Sequence, residues 1–107
     1  MKPWLRNIFE HFSPRHRLRV VQNDSLPDSI GPREVVVAQE DGEDWVAGIY
    51  CPCGCGERIE LLLLQGVRPR WDASVDAQGR PTLHPSVWRK EGCRSHFWLR
   101  GGRVRWC

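Results

Sequence analysis

Trp45-Val-Ala-Gly-Ile-Tyr-Cys-Pro-Cys-Gly-Cys-Gly-Glu-Arg-Ile-Glu-Leu-Leu-Leu-Leu64 is the stretch on which the reading of this chain turns. Trp45 to Tyr50 is rich in β-branched and aromatic residues and predicts a strand. Arg58 to Leu64 predicts a second. Between them, three cysteines fall within five residues beside Gly54 and Gly56, which permit backbone angles that other residues resist. The stretch therefore predicts a hairpin with Cys51, Cys53 and Cys55 at its tip.

Upstream, Val35 to Ala38 predicts another strand, joined to Trp45 through Glu40-Asp-Gly-Glu-Asp44, whose Asp-Gly is a hairpin signal. Asn23 to Pro32 reads as a loop or linker, and Leu18 to Val21 as a short strand. Trp4, Leu5, Ile8, Phe9 and Phe12 recur at helical spacing and predict one short amphipathic helix ended by Ser13-Pro14.

Downstream, Trp71 to Val75 predicts a strand, Asp76 to Gly79 a turn, and Pro81 to Trp88 extended chain followed by a basic loop into Gly92-Cys93. His96 to Arg100 and Arg103 to Trp106 then read as two strands joined at Gly101-Gly102. Leu99-Arg-Gly-Gly102 matches the tail at which ubiquitin is processed, but its place between two alternating segments marks it as a hairpin turn. The expectation is a mainly β fold: a small zinc-binding domain of β-hairpins, zinc-ribbon or Rieske-like, with a short N-terminal helix. Residues 1–32 form the helix and linker, and residues 33–107 the β-rich metal-binding domain.

Composition sets outer limits. The 107 residues are 40% hydrophobic and 27% charged and include six Trp, which indicates a folded chain with a modest core. A net charge of +3 is too mild to favour nucleic acid as the partner. The longest apolar run, Leu61 to Leu64, falls far short of the ~18 residues a membrane span needs. Arg6, Glu10 and His11 interrupt the N-terminal apolar positions, so no secretory signal is read there. The expected location is the cytoplasm, where disulfides are rare and clustered thiols bind metal.

Five cysteines, at 51, 53, 55, 93 and 107, carry the chemistry. Thiolate and imidazole suit a tetrahedral closed-shell ion, so Cys51, Cys53, Cys55, Cys93 and His96 are the candidate ligands, one more than four-coordinate zinc requires. Cys93-Arg-Ser-His96 directs two ligands toward one point, and Cys53 belongs to either Cys-x-Cys pair. The choice between Cys51 and Cys55 stays open. A full protein tetrad points to a structural ion, whereas three ligands would leave a position for catalysis. A [2Fe-2S] cluster is the alternative cofactor, although Rieske centres need His in both ligand pairs.

His84 reads first as a structural hydrogen-bonding residue and second as a general base or further ligand. Cys107 adjoins the terminal carboxylate, which works against a reactive thiol. The basic and Trp residues from Trp88 to Trp106 read as rim and solvated face, and secondarily as a stacking surface for single strands.

Cys-Pro-Cys-Gly-Cys-Gly-Glu at 51–57, Leu-His-Pro-Ser-Val-Trp at 83–88 and Gly-Cys-Arg-Ser-His-Phe-Trp-Leu at 92–99, followed by Val-Arg-Trp-Cys, resemble a family of small bacterial proteins of unknown function, often encoded beside ubiquitin-like conjugation genes tied to phage defence. The resemblance spans Glu34 to Cys107 and implies a metal-binding accessory protein working with activating-enzyme-like, conjugating-enzyme-like or ubiquitin-like partners. It implies Cys51 to Cys55 with Cys93 and His96 as the shared ligand set, without His84 or Cys107. The expected role is a non-catalytic adaptor with a structural zinc. The competing readings are a zinc- or thiol-dependent enzyme using His84 or a spare cysteine such as Cys55 or Cys107, and an iron-sulfur carrier.

Overall fold

The computed structural model describes residues 2–107. One helix, α1 (Pro3–His11), precedes eight strands: β1 (Arg17–Gln22), β2 (Glu34–Glu40), β3 (Glu43–Tyr50), β4 (Arg58–Leu62), β5 (Asp72–Val75), β6 (Pro81–Trp88), β7 (His96–Arg100) and β8 (Arg103–Trp106). They form two four-stranded sheets, β1-β2-β3-β4 and β5-β6-β7-β8. The mainly β expectation and the N-terminal helix are both present.

Every pairing is antiparallel except β1 with β2, which is parallel. A parallel pair needs a crossover between its strands, and the segment from Asn23 to Arg33 supplies it. This crossover packs on the first sheet: Ile30 is buried, and a Cβ at Gly48 would come within 2.7 Å of Leu26 Cδ1 and 2.8 Å of Ile30 Cδ1. Residues on both sides of position 32 thus share one sheet.

Alternating side chains from both sheets meet in a common core. Val35, Val37, Ala47, Ile49, Ile59 and Leu61 come from the first sheet; Leu83, Val87, Phe97, Leu99, Val104 and Trp106 come from the second. Covering each sheet's apolar face with the other is how a chain this short removes enough apolar surface from water.

The helix docks by the side that its apolar spacing did not single out. Trp4, Ile8, Phe9 and Phe12 are exposed, while Glu10 is 7% exposed. Specific polar contacts hold it: Asn7 Oδ1 accepts from Trp106 N at 2.8 Å, and Glu10 Oε2 accepts from Val104 N at 3.1 Å and pairs with Arg33 at 2.7 Å. Arg6 also lies over the Trp106 ring, 4.3 Å from its centroid. Buried polar groups need such partners, and here the partners decide which helix face turns inward.

Candidate functional site

Two connections meet at one end of the fold. The β3–β4 turn carries Cys51, Cys53 and Cys55, and the β6–β7 loop carries Cys93. Their four sulfurs all lie within 4.8 Å of one another and can hold a metal ion. Cys51 Sγ is 3.3 Å from Cys53 Sγ and 3.6 Å from Cys93 Sγ. Zinc–sulfur bonds of about 2.3 Å in a tetrahedron place sulfurs about 3.8 Å apart, so the set has the dimensions of a single-ion cage. Gly54 and Gly56, with φ of 88° and 82°, let the β3–β4 turn fold back far enough for all three of its thiols to face Cys93.

The surroundings favour a thiolate at Cys93. Ser95 is 2% exposed, and its hydroxyl lies 3.2 Å from Cys93 Sγ and 3.5 Å from Cys51 Sγ. The Ser95 hydrogen bond holds the Cys93 thiol down to about 6. Burial pushes Cys51 up to about 12, because desolvation penalises the charged form. Arg89 Nη1 is buried without a hydrogen-bond partner; desolvation works against its charge, but the neighbouring cysteine sulfurs, Cys93 first, favour the guanidinium cation and its pKa is raised.

Of the five expected ligands, the four cysteines converge and His96 stands apart. Its Nε2 lies 3.0 Å from the Ser86 hydroxyl, and its ring stacks on Trp88 with centroids 5.1 Å apart and planes 16° from parallel. Arg94, between Cys93 and His96, has a left-handed φ of 52°, and the buried Ser95 that follows it turns its hydroxyl to the sulfurs.

Ser86 was not singled out in the sequence. Its place depends on the irregular pairing of β6 with β7: Leu83 pairs with Leu99, yet Val87 pairs with Phe97, so four residues of β6 span the length of two on β7. Pro85, which strict alternation would bury with Leu83 and Val87, is exposed. A bulge of this kind bends a strand and re-aims its side chains. Here it brings Ser86 to His96, while Trp71 Nε1 donates to the Ser86 carbonyl at 3.3 Å.

His84 lies on the neighbouring stretch of β6, its ring 6.0 Å from that of Trp98. Cys107 is exposed and outside the sulfur cluster; its backbone N donates to the His96 carbonyl at 3.0 Å. That bond, together with the 2.8 Å bond from Arg89 N to the Ser95 carbonyl, ties the start of β7 to its neighbours on both sides. Among the described residues, no carboxylate is hydrogen-bonded to His96, so the Trp88 stack and this backbone anchoring orient the imidazole.

A hydroxyl within hydrogen-bond reach of an imidazole nitrogen is the arrangement that activates a serine nucleophile. The signal available in the sequence was the pairing of Leu-His-Pro-Ser-Val-Trp with Ser-His-Phe-Trp, read above as family motifs without a role for Ser86.

Residues 22–107 match the model of the family described as "Bacterial ubiquitination-like system serine protease (BubE)". No curated protein matches the chain, and no solved structure does.

Proposed function

The chain belongs to the BubE family of bacterial ubiquitination-like systems, and from that premise we propose that it is a serine peptidase with Ser86 as nucleophile and His96 as general base. The observation that carries this reading is the 3.0 Å contact between Ser86 Oγ and His96 Nε2. Ser86 Oγ attacks the scissile carbonyl carbon as its proton passes to His96 Nε2. The tetrahedral intermediate collapses, the C–N bond breaks, and the leaving amine takes the proton from His96. Water, deprotonated by His96, then attacks the acyl ester and releases the new carboxylate with Ser86 restored. The substrate is a peptide bond in a protein of the same system, with ubiquitin-like, conjugating-enzyme-like and activating-enzyme-like components as the candidate partners.

The four cysteines hold zinc in this reading. A single ion accounts for four mutually close sulfurs, whereas a two-iron cluster divides its sulfurs between two metal atoms and spreads them more widely. Zinc supplies a closed structural cross-link between the β3–β4 turn and the β6–β7 loop. The chain's own residues do the rest: Ser95 holds the Cys93 end of the loop, the Trp88 ring sets the plane of His96, and Trp71 fixes the Ser86 backbone.

Labelling with a fluorophosphonate probe tests the assignment. Wild-type protein should be modified at Ser86, while folded Ser86→Ala and His96→Ala variants should lose labelling and roughly 10³-fold or more of peptide hydrolysis. Labelling that persists in Ser86→Ala would remove the peptidase reading and return the chain to the adaptor role. Visible absorbance of the purified protein would replace zinc with an iron-sulfur cluster.

A further inference from the structure

On the side of the second sheet where β6 begins, a cavity of about 320 Å³ is lined by Pro14, Arg15, His16, Arg17, Arg80 and Arg103. Three separate segments build it. The strap before β1 is clamped to the β7–β8 turn: His16 N donates to Gly102 O at 2.7 Å, and Arg15 Nη1 reaches Gly101 O at 3.3 Å. The approach is so close that a Cβ at Gly102 would lie 2.6 Å from His16 O. Leu18 N then donates to Gly79 O at 3.0 Å, which sets Arg17 beside Arg80. Arg103 is held by Nη1 donating to Glu10 O at 2.8 Å and Ser13 O at 2.7 Å.

Four arginines thus line one cavity, and none of them is ion-paired to a carboxylate. Among the described residues, the ion pairs are Arg19–Glu34, Arg33–Glu10, Arg58–Glu60 and Arg70–Asp72. The nearby Asp76 carboxylate accepts backbone N–H groups from Gln78 and Arg80. Gathering like charges around one cavity is unfavourable unless an anion offsets them. His16 adds a second, independent sign: it is fully buried, and both ring nitrogens lack a hydrogen-bond partner, a state that normally calls for an unfilled role.

We propose that this cavity binds a phosphate group, either free phosphate or the terminal group of a phosphate monoester. Forked guanidinium donors supplied by three separate segments suit the three oxygens of a phosphate dianion better than the two of a carboxylate. The site is separate from the Ser86–His96 pair, neither member of which lines it.

Calorimetric titration with inorganic phosphate, adenosine monophosphate and acetate tests the site, with an Arg17→Gln/Arg80→Gln double variant and the exposed Arg68→Gln as control. Among the described residues, neither Arg17 nor Arg80 makes a side-chain hydrogen bond, so the double variant should keep its melting temperature. Phosphate should bind saturably, acetate at least tenfold more weakly, and the double variant should lose at least tenfold in phosphate affinity with Arg68→Gln unchanged. Tighter binding of adenosine monophosphate would identify a nucleotide as the source of the group, and equal binding the phosphate group alone. Absence of saturable phosphate binding, equal binding of acetate, or equal losses in the double variant and Arg68→Gln would overturn the proposal.

Discussion

The Ser95 hydroxyl lies 3.2 Å from the sulfur of Cys93, and the next residue along the chain, His96, reaches Ser86 from the other side of the same backbone. The sulfur cluster and the Ser86–His96 pair are therefore mechanically continuous: what fixes Cys93 also fixes the start of β7.

Cys93→Ser should release the β6–β7 loop. The expected results are loss of bound metal, a lower melting temperature and loss of fluorophosphonate labelling at Ser86, although Ser86 itself is unchanged. Chelation of the wild-type protein should reproduce all three effects, and metal analysis with a thermal melt reads the first two directly. Ser86→Ala, by contrast, should keep its metal and its stability. Equal labelling of metal-free and metal-loaded protein would break the connection between the two sites.

Trp88→Ala should lower peptide hydrolysis about tenfold by freeing the His96 ring, since positioning of a catalytic group accounts for effects of this order and larger. The change should fall on kcat more than on KM, and Trp88→Phe should restore most of it by replacing the stacked ring. An Ala variant with wild-type kcat would show that the stack plays no part in orienting His96.

Burial and the neighbouring Arg33 charge bring His16 down to about 4 from an ordinary value of 6.5. Because the folded value is the lower one, the unfolded chain binds the extra proton between these limits, and stability falls as pH drops through that window. The stabilisation is complete above about 6.5 and amounts to roughly 3 kcal/mol at most. Glu34, held low by the hydrogen bond from Arg19, acts only below its ordinary value of 4.5. A slope in denaturant stability between about pH 4.5 and 6.5 should therefore shrink in His16→Leu, and an unchanged slope would assign it elsewhere.

Glu10→Ala should destabilise the fold by about 3 kcal/mol, since it leaves Arg33 unpaired and Val104 N without its acceptor. Arg19→Ala, which breaks an exposed pair, should cost less than about 1 kcal/mol. Urea unfolding of the two variants compares them directly, and equal losses would mean that the buried Glu10 contacts do not hold the helix.

The hairpins were legible in the sequence because their signals are local. Asp41-Gly42 and Gly101-Gly102 sit in turns with positive φ, and the flanking strands alternate as their residues require. The cysteine cluster was legible for the same reason on one side: Cys51, Cys53 and Cys55 lie within a single turn. The helix was readable as a helix, but its orientation was not, because apolar spacing does not reveal that Asn7 and Glu10 would find backbone and Arg33 partners.

Sequence alone thus determined that this is a mainly β chain with Cys51, Cys53 and Cys55 at one hairpin tip, since turn chemistry and ligand type are properties of neighbouring residues; that Cys93 joins them and His96 does not was decided by the tertiary structure. Tertiary structure alone decided that His96 faces Ser86. That outcome depends on a bulge in β6 and a buried Ser95 pointing toward the sulfurs, and both are set by pairing between strands rather than by the residues beside His96. The same holds for the arginines around His16, which three distant segments bring together.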